Sequence, residues 1–83
     1  MDMIMIGTIM LFAFDFAPID WALCDGSLLN SSDHPGLFAL IKSTYGGNGY
    51  NNYMLPNLLG TEPIPGMRYY IAVEGIMPPM GNS

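Results

Sequence analysis

The sequence predicts a small α+β domain in which short β-strands and a hairpin pack with one short helix, and loops take up much of the chain. Three observations carry that expectation. Only residues 32–43 show the three-and-four spacing of apolar side chains that a helix needs, whereas several short β-branched or aromatic runs are separated by turn formers. Ten glycines and seven prolines interrupt 83 residues too often for long elements. A chain of 83 residues makes one domain, 1–83, and hides only about 60 to 65% of the surface that its unfolded form exposes.

The first strand is expected over residues 7–12, where Ile, Met, Leu and Phe follow one another too closely to separate a half-buried strand from a fully buried one. Residues 15–20 then turn around Pro18. Residues 21–24 and 28–29 flank Asp25-Gly26-Ser27, and Asp-Gly accepts the positive φ angles of hairpin turns, so the two runs are expected to pair directly. Trp21 and Cys24 belong in the core, while Asp15, Asp20 and Asp25 form turns.

Ser32 and Asp33 can cap a helix in which Pro35 sits in the first turn. Leu37, Leu40 and Ile41 give it an apolar face that Phe38 widens, and Lys42 suits the negative end of its dipole in the last turn. This helix should pack on the hairpin. Residues 45–53, YGGNGYNNY, favour left-handed and turn conformations and read as a loop. Leu55-Pro56-Asn57-Leu58 is extended, two prolines and a glycine exclude a helix from 61–67, and residues 69–73 form the last strand before a Pro-Pro-Met tail.

Composition narrows the function classes. Hydrophobic residues make up 51% of the chain and charged ones 11%, less than half the roughly 25% of an average soluble domain. More apolar side chain is present than one small core can hide. No apolar run approaches the roughly 18 to 20 residues of a membrane span, and Asp2, Gly7 and Thr8 spoil a secretory signal. Burial against another protein is the expected destination of the surplus. A net charge of −5, with Lys42 and Arg68 as the only bases, argues against nucleic acid and anionic lipid as partners. The single cysteine makes no intrachain disulfide.

No constellation of catalytic residues stands out. Cys24 and His34 would have to meet in space and be oriented by a third group to act as nucleophile and base. One His, one Cys and scattered acids match no zinc or calcium spacing, so neither metal nor cofactor is expected. Gly46-Gly47-Asn48-Gly49 lacks the following Lys and Ser/Thr of a phosphate loop, which leaves Gly46, Gly47 and Gly49 as turn residues. The same loop offers Tyr45, Tyr50 and Tyr53 beside Asn48, Asn51 and Asn52. Aromatic faces and amides of this kind stack on and hydrogen-bond to sugar rings, making a glycan the one small ligand the sequence suggests.

Three stretches carry a resemblance: GTIMLFAFDFAPIDWALCDGSLL from Gly7, LFALIKSTYGGNGYNNYMLPNLLG from Leu37 and YIAVEGIMPP from Tyr70. Together they cover nearly the whole chain. FAP-x-x-WALCDG followed by TYGGxG and LPxL resembles the phage tail collar domain family, which includes microcystin-dependent proteins and the collar regions of short tail fibres. Pro18, Trp21, Cys24, Asp25, Gly26, Gly46, Gly47, Gly49, Leu55 and Pro56 are the positions that match. The resemblance implies a non-catalytic virion component of a tail fibre or baseplate, made in the host cytoplasm. Its implied partners are further copies of itself, generally as a trimer, or a larger tail subunit.

The departures from the family pattern are equally specific. Asp20 and Phe14 stand where the pattern has glycine, and Leu59 and Thr61 replace its arginines. After Gly60 the family continues through a long Gly- and Thr-rich segment associated with receptor contact, which this chain replaces with about ten residues before its last strand. The resemblance therefore implies a connector or tip cap, with a glycan-binding module or a fibre-folding chaperone as alternatives.

Overall fold

The structure, a computed structural model, describes residues 4–79. Its elements are β1 (Ile9–Phe12), β2 (Trp21–Leu23), β3 (Leu28–Asn30), α1 (Pro35–Ile41), β4 (Asn52–Met54) and β5 (Arg68–Ala72). Short strands, one short helix and abundant loop make this the small α+β arrangement expected from the punctuation of the sequence.

The strand pairing differs from that expectation. β5 lies between β1 and β2 in an antiparallel three-stranded sheet, with Tyr70 opposite both Met10 and Leu23. β3 pairs instead with β4 in a separate two-stranded sheet, with Leu29 opposite Tyr53. The hairpin expected around Asp25-Gly26 therefore does not form. Its two arms leave the turn into different sheets, because β5 supplies the longest apolar strand and burial on both of its flanks outweighs the local pairing of two three-residue strands.

Side-chain alternation divides the interior in two. The inner face of the three-stranded sheet contributes Ala22 and Ile71 to the larger cluster, which holds Cys24, Leu37, Tyr53, Leu55 and Val73. The outer face contributes Trp21, Tyr70 and Ala72, flanked by Ile4, Phe12 and Leu23. Trp21 and Cys24 are both buried, as their chemistry suggests, but three residues of strand alternation place them on opposite sides of one sheet.

α1 packs Leu37 into the larger cluster, with Phe38, Leu40 and Ile41 around it, so its partners are the inner sheet face and the β3–β4 sheet. Pro35 occupies its first turn as expected. Its ends differ from the sequence reading. His34 is the N-cap and makes no side-chain capping bond, while Asp33 accepts from the Asn30 N–H at 3.2 Å. Lys42 is the C-cap with φ 44°, beyond the last turn. β4 also claims Asn52 and Tyr53 from the stretch read as loop. The segment before β1 runs beside the chain after β5: Ile6 N–H donates to the Ile76 carbonyl and Ile76 N–H to the Ile4 carbonyl, each at 2.8 Å.

Candidate functional site

Two of the sequence motifs are brought together by the fold. Residues 55–58 run alongside the turn that follows β2: Leu55 N–H donates to the Ser27 carbonyl at 3.0 Å, Leu58 N–H to the Cys24 carbonyl at 2.9 Å, and Asp25 bridges Asn57. Asp25 Oδ1 accepts from Ser27 N–H at 3.0 Å and from the Ser27 hydroxyl, which holds the turn. Gly26, at φ 80°, has Asn57 against the position that a Cβ would occupy. Leu55 and Pro56 are buried. Pro18 is half-buried, and its carbonyl accepts from Trp21 N–H at 3.0 Å, so the turn leads straight into β2. Cys24, Leu55 and Pro56 anchor this junction in the interior, while Ser27 and Asn57 remain exposed.

The outer face of the three-stranded sheet is different. Phe12 stands edge-on to Trp21 at 5.2 Å between ring centroids and tilts against Tyr70 at 5.5 Å. Phe14 stacks on Phe12 at 5.1 Å and Phe16 on Phe14 at 4.5 Å, so a row of rings extends from the cluster towards solvent. Tyr70 fixes this row by donating its hydroxyl to the Phe14 carbonyl at 3.1 Å. Phe16 is 64% exposed and Ile19 89% exposed. Beside Trp21 lies an open depression of about 230 Å³, lined by Ile4, Ile19, Asp20, Trp21, Glu74, Gly75 and Ile76. Sequence reasoning missed this face, although its signal was present: Phe12, Phe14 and Phe16 recur with the period of an extended chain.

In the 45–53 loop the structure separates residues that the sequence grouped. Tyr50 is 85% exposed and Tyr45 49%, both open to a ligand. Tyr53 is fully buried, ring to ring with Phe38 at 5.2 Å, and its hydroxyl is directed to the His34 carbonyl at 3.4 Å. It is withdrawn from the glycan-contact set, because the alternation of β4 turns it inward opposite Leu29. Asn48 Oδ1 accepts from the N–H groups of Tyr50, Asn51 and Asn52 at 2.8, 3.1 and 3.2 Å, and its amide donates to Asn51 Oδ1 at 2.7 Å. Those amides are spent largely on the loop itself. Gly46, Gly47 and Gly49 have φ angles of 132°, 88° and 76°, which explains their residue type.

Among the described residues, the titratable groups Cys24 and His34 have separate surroundings. Burial, and secondarily the adjacent Asp25 carboxylate, pushes the Cys24 thiol up to about 11. A thiol so protected is a poor nucleophile at neutral pH. His34, the base imagined for it, instead meets Glu74, with Nδ1 and Oε2 2.7 Å apart. Burial, with Asp15 adding and Arg68 opposing, raises the Tyr70 phenol. Among the described residues no group of three or more His, Cys, Asp or Glu could hold a metal ion, and no helix is long and apolar enough to cross a membrane.

No curated protein sequence matches the chain. The profile of the Phage Tail Collar Domain matches residues 7–63, from the glycine before β1 through the motif junction and the tyrosine loop to the connection before β5. That span takes in most of the chain and all ten of the motif positions assembled above, and the chain belongs to the phage tail collar domain family.

Proposed function

We propose that this chain is a non-catalytic structural subunit of a phage or phage-like tail, sited in the virion at the tail fibre or baseplate, where it associates through its exposed apolar surface. The partner is a further copy in a trimer or a larger tail subunit. One observation carries this reading beyond family membership: among the described residues, twelve large apolar side chains are exposed against ten buried hydrophobic ones. Scattered singly, such residues are ordinary, but the stacked Phe14–Phe16 row and the neighbouring Ile19 form a patch of the kind that marks an interaction site. Mass spectrometry of purified tails tests it, with light scattering on the isolated chain. The subunit is expected in the particle and self-associated or complexed in solution. Its absence from tails, with a stable monomer in solution, refutes the proposal and leaves a fibre-folding chaperone as the better account.

A second reading is supported by the exposure of Tyr50 and Tyr45 on a loop stiffened by Asn48. Rigid, solvent-facing aromatic rings suit sugar stacking. On this reading the double change Tyr45→Ala and Tyr50→Ala lowers glycan binding and adsorption while assembly stays normal, and unchanged adsorption sinks it.

A further inference from the structure

The outer sheet face is apolar at its centre and acidic at its border. Phe16 and Ile19 are its most exposed apolar side chains, at 64% and 89%. Asp15 adjoins Phe16 in sequence and acts electrostatically on Tyr70. Asp20 and Glu74 line the depression beside Trp21, with Glu74 engaged by His34. Arg68 shares the face with Phe12, its register partner, and directs one guanidinium nitrogen to the Met67 carbonyl at 2.9 Å. Lys42 stands at the end of α1, which packs on the inner side.

We propose that this face docks an apolar segment with basic flanks on a different chain, in preference to a second copy of this one. The inference builds on the assembly role proposed above and selects between its two kinds of partner. Charge is the reason. The chain carries seven acids against two bases, so a second copy has few cations to offer Asp15 and Asp20. Like charges brought together at an interface oppose association, whereas complementary charge speeds encounter and fixes register. A partner with Lys or Arg on either side of an aliphatic or aromatic centre satisfies both parts of the face. The rings are already stacked in place, so little side-chain freedom is lost when they are covered.

The test uses the full chain and three fluorescent peptides that share one apolar centre and differ in Lys, Ser or Glu flanks. Fluorescence anisotropy at low salt is expected to show the Lys-flanked peptide binding at least about tenfold tighter than the Glu-flanked one, an advantage that shrinks at about 300 mM salt. Phe16→Ser with Ile19→Ser removes exposed side chains only and should weaken binding of all three peptides. Asp15→Asn with Asp20→Asn keeps the apolar centre, and Asn tolerates the positive φ of position 20; it should reduce the Lys advantage by about twofold to fivefold per charge. Near-UV circular dichroism confirms that both variants fold.

Equal affinity for Lys and Glu flanks, no binding of any peptide, or a Lys preference that survives the double Asn change overturns the inference. So does a trimer that Phe16→Ser with Ile19→Ser dissociates, since the face would then belong to the self-interface. Absence of the chain from purified tails refutes the tail role without touching the peptide result, which keeps the two failures apart.

Discussion

Asp20 shows how one side chain can stand against its backbone. Its φ of 71° lies in the left-handed region, and its carbonyl accepts from Val73 N–H at 2.8 Å, which ties the position to the end of β5. The conformation costs a non-glycine residue about 1 to 2 kcal/mol, less for Asp than for most. The family pattern has glycine here, so the sequence marked the position, while the positive φ came only from the structure. Asp20→Gly is expected to raise stability by about 0.5 to 1 kcal/mol after the greater freedom of glycine in the unfolded chain is set against the relief. Urea denaturation measures it. Cys24 gives the second prediction. Its folded thiol titrates at about 11 against an ordinary 9.0, so the folded state keeps a proton that the unfolded state releases. Stability is therefore complete below about pH 9 and falls as pH rises towards 11, a trend that the raised phenols of Tyr53 and Tyr70 reinforce. Urea midpoints should drop across that interval. A thiol reagent near neutral pH should label the unfolded chain and spare the folded one.

At the scale of elements, the sequence located most strands and the helix but misassigned a partner. Residues 21–24 contained β2, residues 28–29 covered all of β3 but Asn30, residues 69–73 overlapped β5, and residues 32–43 contained α1. Local turn chemistry at Asp25-Gly26 suggested that β2 and β3 pair, and they do not, because Asp-Gly turns redirect a chain equally well between sheets. β4 was hidden for a related reason. Asn52, Tyr53 and Met54 follow a run of glycines and asparagines and have modest strand propensity, so only pairing with β3 and the burial of Tyr53 make them a strand. The glycines of that loop were legible, and their necessity is now specific. A Cβ on Gly47 would lie 2.6 Å from the Tyr53 Cα, at a φ of 88°. Gly47→Ala is expected to destabilise by about 2 to 4 kcal/mol, combining left-handed strain with a clash against backbone that cannot rotate away. Thermal and urea unfolding check this, and near-UV circular dichroism should report loss of the Tyr53–Phe38 packing.

For the molecule as a whole, the later part of the connection from β4 to β5, after Gly60, is where change is expected to be tolerated best. Pro63, Ile64, Pro65 and Gly66 are exposed, and a side chain at Gly60 or Gly66 meets nothing within 4 Å. A twelve-residue Gly/Ser insert between Ile64 and Pro65 is expected to cost about 1 kcal/mol or less, since loop-closure entropy grows only with the logarithm of length. A urea midpoint lowered by much more would mean that the connection holds β5 in the sheet. The sequence alone established that this chain has more apolar side chain than its interior can hide, few charges, an acidic balance and motif residues that mark its family, because these depend on residue types and their order. Which apolar residues remain outside was decided by tertiary structure. β5 enters between β1 and β2 through contacts distant in sequence, which puts Cys24 inside and leaves the ring row from Phe12 to Phe16 on an open face, while the pairing of β4 with β3 turns Tyr53 away from solvent.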